Sequence, residues 1–162
     1  MAKVGKKRGL AQAPAPHYES GSKAVAGQRV FEAWLSPEVA PRLALVEQIR
    51  EGFPFALVGA LAKEAGIGLD ELMEFGVIPR RTWTHSKRNQ RFTPTQSARL
   101  ARFFRILHRA RETFGADETA MRWLKHGTKP LQGTAPVDLL DTEEGARLVE
   151  DLLTRIDHGI AT

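Results

Sequence analysis

Apolar residues recur along this chain three and four apart, from residue 30 almost to the C-terminus, which is the spacing of one helix face. Val30, Phe31, Trp34 and Leu35 form the first such set and stop at Ser36-Pro37. Leu43, Val46 and Ile49 mark a second helix that ends at Gly52, and Phe55, Val58, Leu61 and Ala62 repeat the signal up to Gly66. Leu69, Leu72, Met73 and Phe75 predict a short helix closed by Gly76, with Asp70 and Glu71 at its positive dipole end. A brief helix follows, with Pro79 at its first position and Arg80 to about Lys87 behind it.

The clearest start signal is Thr93-Pro94-x-Gln96, a capping box with proline in the first turn. It opens the longest helix, whose apolar stripe is Leu100, Phe103, Phe104, Leu107 and Phe114. Asp117 is expected to cap the next helix, with Met121 and Leu124 inward; Gly127 to Pro136 reads as a Gly, Pro and Thr loop. Asp141-x-x-Glu144 looks like a further cap, after which Leu148, Val149, Leu152, Leu153 and Ile156 run to Gly159. No alternating strand pattern and no long internal repeat are present. The fold class predicted is all α, a helical bundle.

Residues 1–27 differ from the rest. They are rich in Ala, Gly, Pro, Lys and Ser, with too little apolar surface to offset the entropy of ordering them, and are expected to form a disordered basic tail. Lys3, Lys6, Lys7 and Arg8 are followed by no apolar segment, so this is not a secretory signal. The 162 residues contain no cysteine, which excludes disulfides, thiolate metal sites and thiol nucleophiles and fits a cytoplasmic location. No apolar run approaches the roughly 20 residues that cross a bilayer.

Charge changes the picture further. The net +5 hides a gradient: residues 1–28 are net +4, residues 29–115 net +5 and residues 116–162 net −4. From Arg80 to Arg111 the chain holds ten Lys and Arg and no carboxylate. An unopposed field of this length repels itself, and solubility alone is served by mixed signs, so a polyanionic partner is the natural reading.

The segments Gly68 to Phe75 and Pro79 to Lys87 have the dimensions of a helix-turn-helix. In that motif the second helix enters the major groove and needs donors outside and anchors inside. Arg80, Arg81, Thr84, His85, Lys87 and Arg88 supply the DNA-binding donors; Ile78 and Trp83 supply anchors. Arginine can bond guanine O6 and N7 bidentately, while Thr and Lys hold phosphates. If Leu72, Ile78 and Trp83 fill the buried slots, the turn position falls on Val77 and the tight-packing slot on Met73. On the long helix, Arg99, Arg102, Arg105 and Arg109 form a stripe that either follows a phosphate backbone or pairs with an acidic surface, the first being favoured for some of them.

Catalytic signatures are missing. The five histidines are far apart in sequence without H-E-x-x-H spacing, and there is no G-x-S-x-G, no P-loop and no dinucleotide fingerprint. No catalytic residue, metal or cofactor is expected. The C-terminal carboxylates read as caps and solvated faces.

From Trp123 to Ile160 the chain carries Trp123-Leu124, Pro130-Leu131-x-Gly133, Pro136-x-Asp138-Leu139-Leu140, Glu144-Gly145-Ala146-Arg147 and Ile156-x-His158-Gly159. This run resembles the toxin-binding domain of the Xre/MbcA/ParS antitoxins, and the likeness extends more loosely back through an Xre-like helix-turn-helix to about residue 50. The resemblance implies an antitoxin that neutralises a RES-domain toxin, an NAD-degrading enzyme, and represses its own operon. It implies a DNA-binding and dimerisation domain over 28–115 and a toxin-binding domain over 116–162. Pro130, Leu131, Gly133 and Pro136 are then a preformed protrusion, cheap to order. Asp138, Asp141, Glu143 and Glu144 meet cationic groups that a toxin offers to a pyrophosphate. Arg147 contacts the toxin or, as the favoured alternative, pairs with Glu143 or Asp151 within its helix. The expected partners are the cognate RES toxin, operator DNA and a second copy, with apolar contacts around Phe31, Trp34 and the long helix. A regulator without a toxin, and an enzyme using the C-terminal carboxylates, are the competing readings.

Overall fold

In the computed structural model the described residues are 29–30, 32–33 and 36–159, and they are helical with no strand among them. The tail at residues 1–27 and the apolar positions Phe31, Trp34 and Leu35 lie outside the described residues. The helices are α1 (Val39–Glu51), α2 (Phe55–Glu64), α3 (Leu69–Glu74), α4 (Arg80–Arg88), α5 (Pro94–Phe114), α6 (Asp117–Lys125) and α7 (Glu143–Asp157). Two 3₁₀ turns, Lys129–Leu131 and Pro136–Asp141, occupy the stretch expected to be loop and its continuation.

The 21-residue α5 organises everything else. Leu100, Phe103, Phe104, Ile106, Leu107 and Ala110 are all at most 1% exposed, which places apolar side chains on more than one face of one helix. A helix buried on several sides must have neighbours on several sides. Helix α5 packs on α1, α6, α7 and the 136–141 turn. On the helix-turn-helix side, the ring of Phe103 meets Phe75 at 4.9 Å. One continuous core therefore runs from α1 to α7 through α5.

The capping box forms as the sequence predicts: Thr93 Oγ1 accepts from Gln96 N at 3.3 Å, and Thr93 N donates to Gln96 Oε1 at 2.8 Å. Other boundaries shift by a residue. Pro79 is the N-cap of α4 and lies just outside the helix. Ala116 caps α6, and Asp117 is drawn instead into an ion pair with Arg111 Nε at 3.0 Å. Thr142 caps α7 by accepting from Gly145 N at 3.0 Å, because Asp141 is still inside the preceding 3₁₀ turn. Helix α1 departs from its pattern more. Leu45 is its buried residue, whereas Leu43 and Val46 face outward, in line with Val39 at helical spacing.

Candidate functional site

Helix α4 is set on an aromatic platform. Trp83 packs between Phe55 and Phe92 at ring distances of 5.9 and 5.1 Å, and those two rings stack at 5.5 Å. The main chain locks the platform: Phe92 N donates to Phe53 O and Phe55 N to Gln90 O, both at 2.9 Å. Arg91 Nη1 adds a 2.6 Å bond to the Gly52 carbonyl, so this cation is spent on the scaffold. Ser86, the other buried residue of α4, donates to Gln96 Oε1 at 3.1 Å and ties α4 to the first turn of α5.

With Trp83 and Ser86 inward, the remaining face is cationic. Arg80, Arg81, Thr84, His85, Lys87 and Arg88 are all exposed. The four Arg and Lys make no ion pair among the described residues. Thr84 Oγ1 bonds the Arg80 carbonyl at 3.4 Å, and His85 Nε2 meets Asn89 Nδ2 at 2.9 Å. The turn into this helix is made by Gly76 at φ +70, the left-handed conformation that costs glycine least. Val77 follows it as a buried side chain, as do Leu72 and Ile78. The turn glycine is thus one position earlier than the slot that Val77 fills, and the anchors keep their places.

The arginine stripe of α5 has a different fate from the one favoured on charge alone. Arg99 Nη2 lies 3.7 Å from Asp141, Arg102 Nη1 3.7 Å from Glu143, and Arg105 3.5 Å from Glu143 and 2.7 Å from Glu150. Arg109 pairs with Asp157. The acidic surface is the chain's own: the 136–141 turn and α7 lie on this face and neutralise it. Arg102 is the most enclosed of the four, its side chain 15% exposed. Its Nε and Nη2 donate to the carbonyls of Leu140 and Asp141 at 3.1 and 3.0 Å. Burial pulls the Arg102 guanidinium below its usual range; Glu143 opposes this, and the like charges of Arg99 and Arg105 add to it.

These contacts redistribute the candidate residues of the C-terminal segment. Asp141 and Glu143 are engaged with α5. Pro136 is buried rather than displayed, because it starts the 3₁₀ turn that packs on α5, α6 and α7. Arg147 is exposed and forms neither expected intrahelical pair, since Glu143 turns toward α5. Pro130, Gly133, Asp138 and Glu144 are exposed, and Leu131 is half-buried. Pro130 and Leu131 border an open groove completed by Leu148, Asp151, Leu152 and Arg155 of α7. Leu148 is 52% exposed, and pattern reading counted it with the core. The signal was available: Val149, Leu152, Leu153 and Ile156 already fill the inward stripe, which leaves Leu148 beside it.

Among the described residues no group of His, Asp and Glu is arranged to hold a metal ion, and no helix is long and apolar enough to cross a membrane.

Comparison with known proteins places both halves. Residues 109–159 match the model of the antitoxin Xre/MbcA/ParS C-terminal toxin-binding domain, and residues 44–105 match the antitoxin Xre-like helix-turn-helix domain. The two matches meet within α5. The chain is 36% identical over 118 residues to an "Antitoxin Xre" of Yersinia enterocolitica, covering 72% of this chain and 80% of the relative. It is 31% identical over 116 residues to an "Antitoxin Xre" of Photorhabdus laumondii, covering 70% and 78%. A third, from Pseudomonas putida, is 32% identical over 124 residues, covering 76% and 77%. An Xre-like helix-turn-helix fused through one long helix to an Xre/MbcA/ParS toxin-binding domain makes this chain a member of the Xre antitoxin family.

Proposed function

We propose that this antitoxin binds and blocks a RES-domain toxin that degrades NAD, and that it represses its own operon through α4. The observation that supports the DNA reading is the outward, unpaired cationic face of α4 on a rigid aromatic base. A recognition helix needs its donors free and its back fixed, and α4 has both. The toxin reading rests on the C-terminal family match and on the C-terminal motifs, whose resemblance implies a RES enzyme. Inhibition is by occlusion, not chemistry. The protein works in the cytoplasm and uses no cofactor.

Within the toxin-binding domain, Asp141 and Glu143 serve the scaffold, and contact is made by the outward surface. Pro130, Leu131, Gly133, Asp138, Glu144 and Arg147 belong to it, together with Leu148. Apolar anchors ringed by polar groups are where binding energy concentrates. Helix-turn-helix readers act as two-fold dimers, and the exposed stripe Val39, Leu43 and Val46 on α1 is suited to meet a second copy.

The test is co-expression with the product of the neighbouring reading frame, assayed as a RES-domain toxin. The toxin alone is expected to deplete NAD and arrest growth; with the antitoxin, NAD returns and the two proteins co-purify. Leu148→Asp places a charge at the anchor without touching the core, and is expected to weaken toxin binding at least tenfold, on the order of 1.4 kcal/mol. Persistent NAD depletion with no complex would rule the reading out.

A further inference from the structure

The segment 116–162 is acidic in sum, but its charges are sorted. Residues 122–129 hold Arg122, Lys125, His126 and Lys129 and no carboxylate, whereas all acids after Glu118 lie from Asp138 to Asp157. The four basic side chains are exposed. Arg122, Lys125 and Lys129 make no ion pair among the described residues, in contrast to the α5 arginines that α7 neutralises. The dipole at the end of α6 favours Arg122 and Lys125 there. It does not account for Lys129, which lies beyond the helix in the next turn.

The position of this patch gives it a partner. Lys125 Nζ sits 4.4 Å from the centroid of the Phe75 ring. Phe75 is the C-cap of α3, immediately before the Gly76 turn that leads into α4. Lys125 is therefore held against the helix-turn-helix itself, at its turn, with Arg122 one turn earlier on the same helix. Duplex DNA carries one charge per roughly 1.7 Å of axis, so phosphates continue well past any bases that a short helix reads. Contacts to them need only mobile cations at the right height, and Arg and Lys side chains reach far from their helix.

We propose that Arg122, Lys125 and Lys129 form a second phosphate-binding surface, by which the toxin-binding domain grips DNA backbone beside the site held by α4. The proposal rests on α4 being the DNA-reading element. Because phosphates carry no sequence information, this surface adds affinity and salt dependence without adding specificity. DNA binding by the antitoxin then draws on both domains.

The test uses the full-length protein and two duplexes of equal length, one from the region upstream of its own gene and one of scrambled sequence. Binding is followed by fluorescence anisotropy from 50 to 200 mM salt. Arg122→Gln with Lys129→Gln leaves Lys125 on Phe75, so packing is kept; an unchanged thermal midpoint checks this. The double variant is expected to weaken both duplexes by a similar factor. It should also flatten the slope of log K against log salt by about 1 to 2, near 0.9 per phosphate lost. An unchanged slope, with Arg80→Ala and Arg81→Ala still weakening binding, overturns this proposal and leaves α4 standing. A flattened slope with no effect of the α4 variant supports the patch and overturns the reading of α4. If the double variant instead loses toxin binding at an unchanged slope, the surface belongs to the toxin, and the proposal falls.

Discussion

A single carbon added at Gly145 would overlap the carbonyl oxygen of Leu139, because the second 3₁₀ turn presses its backbone onto the first turn of α7. Gly145→Ala must push the two apart and is expected to cost about 1–3 kcal/mol, seen as a lower urea midpoint at an unchanged m-value. The Glu-Gly-Ala-Arg motif made this glycine visible in the sequence, but not its reason, which is a neighbour six residues away in a turn of unforeseen type. Arg102 illustrates the same limit. Its charge was legible; its two backbone acceptors, 38 and 39 residues downstream, were not. Arg102→Ala is expected to lose about 1–3 kcal/mol by removing both bonds, the one to the part-buried Leu140 carbonyl above all, and Arg102→Lys to restore only part of it, since an ammonium lacks the planar fork.

At the scale of elements, helices were readable because apolar spacing reports burial directly, and α5 began where its capping box said it would. Gln96 serves two elements at once, the Thr93 amide and the buried Ser86 hydroxyl. Gln96→Ala is therefore expected to destabilise by more than the roughly 1 kcal/mol of a lost cap, and Thr93→Ala by about that amount, both measurable by thermal unfolding. Caps at Asp117 and Asp141 were misplaced because a carboxylate satisfies a cap and an arginine equally well: Asp117 pairs with Arg111 six residues earlier, and Asp141 ends the 3₁₀ turn and faces Arg99, 42 residues earlier in the chain. The outward stripe of α1 was hidden for a related reason: periodicity gives a face but not its direction.

For the whole molecule, the charge gradient along the sequence suggested a cationic half for DNA and an anionic half for a toxin. The fold folds that gradient back on itself. Arg99, Arg102, Arg105 and Arg109 meet Asp141, Glu143, Glu150 and Asp157, so both signs are largely consumed where α5 and α7 pack. Among the described residues, charges left unpaired include those on the outer face of α4, the end of α6 and the outward side of α7. Pattern reading put the exposed residues of α4 on its outward face, because a short helix with one aromatic anchor has only one way to face. It named Glu144 and Arg147 beside the outward side of α7, singled out no cation of α6, and counted Leu148, which is exposed, with the inward stripe. Because α6 and α7 share the core of α5, the helix-turn-helix and the C-terminal domain form one folded body, and deleting either half would expose buried apolar side chains.

The most direct measurement is made on one variant of the intact chain, Arg81→Ala with Arg88→Ala, assayed for duplex binding and for toxin inhibition in the same preparation. Both residues are exposed and unpaired, so the fold should be untouched. Separation of the DNA and toxin surfaces predicts operator affinity down at least tenfold, on the order of 1.4 kcal/mol or more, with toxin inhibition at the wild-type level. Loss of both activities together, at an unchanged unfolding midpoint, would contradict it.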